Sequence, residues 1–325
     1  MRAELRPGPW LRLTALAAAV ATGLVVVSGS LGLSHTHRGL ALVALPPLVA
    51  LVVAAQVAHR RLLFPAGGAL ALFAQAMATW WSSGVHVALA CGGASALNHL
   101  LDRDIDRLMG KRTAKRPVAA GRVPPARALE FGLVLSALSF VLLASTVNVL
   151  TAALALVGNL FYVVVYTRWL KRATPQNIVI GGAAGAVPPL VGYAAATGNL
   201  GLPALWLFLI VFLWTPPHFW ALALLIKENY AAAKVPMLPV VRGDAATTRQ
   251  ILAYSVVMVA FSTWVGLWLG PVYTCAAVVL GGILLWLSWI VRREPSRRNA
   301  GVLFHYSLLY LALLFVAAAV DPVLL

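Results

Sequence analysis

The sequence predicts an all-α fold, a polytopic transmembrane helical bundle, on three observations. Of 325 residues, 61% are hydrophobic and only 10% are charged, where a soluble domain carries about 25% charged residues. Apolar stretches of about eighteen residues or more recur along the chain, and each can cross a ~30 Å hydrocarbon core as a helix. The short alternating segments of a transmembrane barrel do not occur in the sequence.

Charge narrows the reading. The net charge is +16, from 25 Lys and Arg against 9 Asp and Glu. On a soluble protein this would suggest nucleic acid. Between apolar spans, cations instead anchor cytoplasmic loops, so the expected partner is membrane lipid and no nucleic acid. Cys91 and Cys275 fall in apolar segments without CxxC spacing and are expected to pack in the core. The apolar run from Trp10 lacks a clear cleavage site and reads as a retained span.

In chain order, spans are expected at about 10–31, 39–57, 63–81, 83–101, 127–146, 149–167, 178–196, 203–226, 250–268, 271–291 and 302–320. Tight turns fall at 81–83, 146–149 and 268–271. The longer connections, near 102–126, 168–177, 227–249 and 292–301, hold the cations, among them Lys111, Arg112, Arg116, Lys171, Arg172, Lys227 and Arg292. The intervening connections hold none. This alternation puts the four basic connections and the N-terminus on the cytoplasmic side of the cell membrane and the C-terminus outside, with Arg38 the exception.

The segment NHLLDRDIDRLMGKRTAKRP, Asn98 to Pro117, places three of the nine acidic residues within five positions. Asn98, Asp102 and Asp106 are spaced i, i+4, i+8, so on a helix their oxygens share one face, while Asp104 points roughly the other way. Carboxylates this close need a counter-charge. Mg²⁺ suits them, because it takes oxygen ligands, commonly one or two carboxylates plus substrate phosphates. The cations that follow, Lys111, Arg112, Lys115 and Arg116, suit the outer oxygens of a polyphosphate. The aspartates alone fit a salt-bridged helix end equally well. Asn98, a polar residue within an apolar span, tips the balance towards function.

An Asn-xxx-Asp-xxx-Asp at the end of a span, followed by a basic loop with Arg-Pro, resembles the UbiA superfamily of intramembrane prenyltransferases. The similarity runs from about Ala90 to the C-terminus and points to the branch that acts on haem. NHLLDRDIDRLMGKRTAKRPVAAGRV matches a first signature of that branch, Tyr166–Gly198 a second, and Trp214–Gly243 a third. The resemblance implies nine spans around a lipid-open cavity, here preceded by two extra spans. It implies Mg²⁺-dependent transfer of a farnesyl group from farnesyl diphosphate to a vinyl group of haem B. It further implies metal–diphosphate roles for Asn98, Asp102 and Asp106, diphosphate contacts from Arg116, Lys171 and Arg172, and a place near the reacting centre for Tyr166. Lys227, Glu228 and Tyr230 of the third signature stand as substrate-binding candidates. The leaving diphosphate would be neutralised by metal and cations. The allylic cation needs an aromatic wall, for which Trp206, Trp214, Phe219, Trp220 and Tyr162 are available.

His218, in PPHFW, is expected either to contact haem, since neutral imidazole binds iron, or to bond a carbonyl freed by Pro216 and Pro217, which should break their helix as Pro188 and Pro189 break theirs. The chain departs from the family pattern in two places. Asn229 stands where an aspartate is usual, which bears on metal count, and on pattern alone Asn229→Asp should preserve or raise activity. The Lys-Pro-Arg signature expected of a first span is missing before Phe64. Residues 1–62 are therefore read as a separate hairpin and 63–325 as the UbiA-like domain. His35, His37 and His59 flank that hairpin, and SGSLGLSHTHRGLALVALPPL faintly resembles a hairpin of haem A synthase, which makes haem A synthase a candidate partner. Two alternatives stay open: a different aromatic acceptor such as a quinone precursor, or a haem-handling protein without chemistry.

Overall fold

The computed structural model describes residues 66–324. The proposed N-terminal hairpin, its histidines and the first two expected spans lie outside these residues. The described residues form helices and their connections without strands. They are α1 (Ala66–Leu101), α2 (Arg103–Leu108), α3 (Lys111–Ala114), α4 (Pro125–Thr146), α5 (Val149–Leu160) continuing through a π-helical stretch (Phe161–Leu170) and one last turn (Lys171–Ala173), α6 (Asn177–Thr197), α7 (Leu202–Leu225), α8 (Lys227–Ala232), α9 (Leu238–Leu269, interrupted at Gly243), α10 (Pro271–Arg293) and α11 (Arg297–Leu324). Seven of these segments are long and apolar enough to cross a membrane: α4, α5 with its π extension, α6, α7, α9, α10 and α11. The chain is a multi-pass membrane protein.

Local chemistry sets the boundaries. Proline at its first position opens α4, where a missing N–H costs nothing. The Asn148 side chain caps α5 by accepting from the Thr151 N–H at 2.8 Å. Gly198 closes α6 in the left-handed region. The tight turns expected near 147 and 270 are present.

Three expectations are corrected. The spans placed at 63–81 and 83–101 form one 36-residue helix, α1. Ser82, Ser83 and Gly84 are too short a break to reverse a helix, and in apolar surroundings a helix keeps its own hydrogen bonds. Pro188–Pro189 and Pro216–Pro217 lie inside α6 and α7, and neither helix ends at them. Cys91 and Cys275 are exposed on their helices and not in the core.

The chain divides into two compact units. One comprises Trp81–Ser262 and Gly282–Ser307, in which α6 packs along both α5 and α7, and α4 along α5. The other includes Thr263–Gly281 and Leu308–Leu325, and buries Tyr273 and Tyr310 completely. In that second unit the Asp321 carboxylate accepts the Val272 and Tyr273 N–H groups at 3.2 and 3.1 Å, which caps the start of α10. Every residue of the candidate site belongs to the first unit.

Candidate active site

The acidic motif spans the junction of α1 and α2, and its hydrogen-bond ladder continues across that junction. The Asp102 N–H reaches the Asn98 carbonyl at 2.8 Å, and the Asp106 N–H reaches the Asp102 carbonyl at 2.7 Å. The three side chains therefore face one way, and that way is inward: Asn98 is 7% exposed, Asp102 0% and Asp106 1%. The Asp104 side chain, about 200° around the helix, is 60% exposed.

Each carboxylate meets a cation. Lys171 pairs with Asp102 Oδ2, which also accepts from Asn98 Nδ2 at 2.9 Å. Arg116 Nη1 donates to both oxygens of Asp106, at 2.7 and 2.9 Å. Arg172 forks onto Asp104 with two bonds of 2.7 Å and caps the Leu101 carbonyl at the same distance. That guanidinium holds the Asp104 carboxyl well below the usual carboxylate range. Arg172 also comes within 3.9 Å of Asp102 Oδ1. Yet Asp102 Oδ1 is buried and accepts no hydrogen bond. The three cations read as diphosphate contacts thus lie on the acidic motif itself. Lys111 and Arg112 are exposed and make no ion pair among the described residues.

The π-helical stretch supplies the opposing wall. Tyr162 and Tyr166 stack on it with ring centroids 5.6 Å apart. Gly181 of α6 lets the Tyr166 ring approach, since a Cβ there would come within 2.3 Å of the ring. Thr167, fully buried, accepts from Asn98 Nδ2 at 3.2 Å. Of the other proposed wall residues, Trp214 donates its indole N–H to the Ser307 carbonyl at 2.7 Å, and Trp220 packs edge-on to Tyr254. Both are buried in α7.

The third connection reaches the motif through Asn229, whose amide donates to the Met109 carbonyl. It occupies the space beside Gly110, where φ is +110° and a Cβ would come within 2.6 Å of the amide nitrogen. Lys227 pairs with Asp244 at 2.8 Å, and Glu228 is exposed. Burial, and secondarily the Asp102 charge, push the Tyr230 hydroxyl up to about 12, so it stays neutral at physiological pH. A cavity of about 220 Å³ is lined by Asp104, Arg172 and Lys234 together with four apolar residues, and not by Asp102 or Asp106. His218 lies apart from this cluster. Its Nδ1 is 2.7 Å from Ser307 Oγ, and its ring lies between those of Trp214 and Phe304, at 4.2 and 4.6 Å.

With this geometry in view, the comparisons decide the family. The UbiA prenyltransferase family matches residues 62–314. The chain belongs to the UbiA prenyltransferase family. A protoheme IX farnesyltransferase of Symbiobacterium thermophilum is 53% identical over 242 residues, 73% of this chain and 80% of that protein. The protein of the same name in Roseiflexus castenholzii is 53% identical over 235 residues, 72% of this chain, and the match spans only 44% of its length. Among solved structures, one of digeranylgeranylglyceryl phosphate synthase superposes with a TM-score of 0.63 at 19% identity, covering 77% of this chain and 87% of that one. A UbiA homolog from Archaeoglobus fulgidus bound to GPP and Mg²⁺ gives 0.51 at 16%, covering 75% and 88%. These likenesses establish the UbiA fold.

Two features of this UbiA site escaped the sequence reading. Thr167 carries no signal of its own beyond being a hydroxyl in an apolar span, and its reach to Asn98 depends on a π turn. Asn229 was legible only as a missing carboxylate, whereas its amide donates where no carboxylate could. A metal also fits less simply than expected. Among the described residues no group of three or more His, Cys, Asp or Glu is placed to hold an ion. The donor-free Asp102 oxygen nonetheless offers one buried anionic ligand, and the remaining coordination would fall to Asn98 and to substrate phosphate oxygens.

Proposed function

We propose that this chain transfers the farnesyl group of farnesyl diphosphate to a vinyl group of haem B, giving haem O and diphosphate, with Mg²⁺ as cofactor. The observation that carries the reading is a wholly buried Asp102 with one oxygen free of donors, beside Lys171 and Arg172. The acceptor rests on the names of relatives about half identical over some 70% of the chain.

Bound Mg²⁺ would neutralise charge developing on the leaving diphosphate, held by Asn98 and Asp102. The protein's own residues do the rest. Arg116, Lys171 and Arg172, placed on the motif carboxylates, orient the diphosphate and disperse its charge. As the C–O bond to the diphosphate breaks, the Tyr162–Tyr166 pair presents ring faces to the allylic cation. The outer carbon of the haem vinyl then attacks it, and water captures the cation left on the inner vinyl carbon with loss of a proton, leaving a hydroxyethylfarnesyl group. On this reading Lys227, Glu228 and Tyr230 of the third connection contact substrate, and His218, away from the acidic cluster, orients the haem. The four basic connections and the N-terminus face the cytoplasm. The N-terminal hairpin and contact with haem A synthase belong to the same reading.

The test is product analysis. The purified protein in detergent receives haem B, farnesyl diphosphate and Mg²⁺, and the porphyrins are resolved by mass spectrometry. A haem carrying a hydroxyethylfarnesyl group is expected. Bound but unchanged haem would overturn the reading in favour of a haem-handling protein.

A further inference from the structure

The π-helical stretch does more than carry two tyrosines. In an α-helix a threonine hydroxyl bonds back to the carbonyl three or four residues earlier. Here Thr167 Oγ1 donates to the Tyr162 carbonyl, five residues back, at 2.9 Å. The wider π turn opens that route, and it commits the only hydroxyl proton. Thr167 Oγ1 can then only accept from a neighbouring helix, and the neighbour that reaches it is Asn98 Nδ2 at 3.2 Å.

This settles which way the Asn98 amide faces. Its second N–H goes to Asp102 Oδ2 at 2.9 Å. A flipped amide would set its carbonyl oxygen against two acceptors, the Thr167 oxygen and the Asp102 carboxylate. Lys171 also holds that Asp102 oxygen, so the acceptor character of both neighbours is fixed. The Asn98 carbonyl oxygen is left without a protein donor among the described residues, one helical turn from the donor-free Asp102 Oδ1.

We propose that Thr167 is a positioning residue: it locks the Asn98 amide with its oxygen turned to the metal–diphosphate site, so that Asn98 and Asp102 offer one oxygen each. This rests on the metal–diphosphate reading above. A partner that orients a ligand in this way typically changes metal affinity by about 10- to 100-fold when lost.

The test measures binding directly. Mn²⁺, an octahedral oxygen-binding ion visible by electron paramagnetic resonance, is titrated into the full chain in detergent with farnesyl thiodiphosphate, an unreactive substrate analogue. Thr167→Val keeps the volume and removes the acceptor; Thr167→Ser keeps the hydroxyl. We expect Mn²⁺ affinity to fall about tenfold in Thr167→Val and to stay within about twofold in Thr167→Ser. Should the valine variant fail to fold, Thr167→Ala carries the same comparison. Mn²⁺ bound as tightly by a folded Thr167→Val or Thr167→Ala as by the parent would overturn the positioning role and leave the site reading intact. A parent chain that binds no Mn²⁺ with the analogue would overturn both.

Discussion

Asp102 and Asp321 are both carboxylates with no exposed surface in a chain that is mostly hydrocarbon, and they are stabilised in opposite ways. Asp321 directs one oxygen to each of two backbone N–H groups at the start of α10, so the positive end of a helix satisfies its charge. Asp102 concentrates its partners, Lys171 and Asn98, on one oxygen and leaves the other without a donor. Burying an ionised group with an unmatched lone pair costs free energy that folding alone gives no reason to accept. The comparison teaches that burial of an acid does not by itself mark a site in a membrane bundle; an unfilled oxygen does.

Substitutions can break this contrast, beginning with the largest effect. Asp102→Ala should lower farnesyl transfer by about three orders of magnitude, the scale for loss of a preorganised electrostatic group, while Lys171 loses its partner. Turnover close to that of the parent, with farnesyl diphosphate and haem B supplied, would dissolve the distinction. Asp321→Ala should act on stability, costing about 1–3 kcal/mol for each of the two orphaned N–H groups, while product formed per folded molecule stays near the parent's. Thermal unfolding in detergent, read beside activity, checks both halves.

Asn229→Asp sharpens the comparison. The family pattern alone favours unchanged or higher activity, but a carboxylate there faces the Met109 carbonyl and cannot donate to it. Activity should fall roughly tenfold, the price of one charge-opposed hydrogen bond at a loop that shapes the motif. Steady-state rates over a range of Mg²⁺ concentrations would separate loss of the tie from gain of a ligand. Asp104→Ala should have the smallest effect, below about 1 kcal/mol in stability and a few-fold in rate, because its pair with Arg172 is solvent-screened. The depressed Asp104 carboxyl contributes stability above the ordinary carboxylate range, near pH 4, and loses it only as pH falls further towards its folded value. The stability difference between parent and Asp104→Ala should therefore be flat from pH 5 to neutrality.

Much of this was legible in the sequence. Seven of the expected spans correspond to membrane-length helices, because apolar length is a strong signal. The i, i+4, i+8 spacing of Asn98, Asp102 and Asp106 places them on one buried edge with Asp104 outside it, because helical periodicity survives the small break at Asp102. What could not be read was pairing across elements. Nothing in the order of residues says that Lys171 meets Asp102, 69 positions away, or that Asn229 meets Met109, 120 positions away. The hairpin expected at 81–83 failed for a local reason: serine and glycine in an apolar helix permit a turn without requiring one.

The π-helical stretch has a geometric consequence for the rest of its span. It works as a phase shifter, setting the azimuth of every side chain beyond Leu170 relative to those before Phe161. Deleting one residue within it would leave a hydrophobic rod of nearly the same length, still able to cross the bilayer, but would swing Lys171 and Arg172 through about 100°. A single codon lost there would keep the anchor and scatter the chemistry.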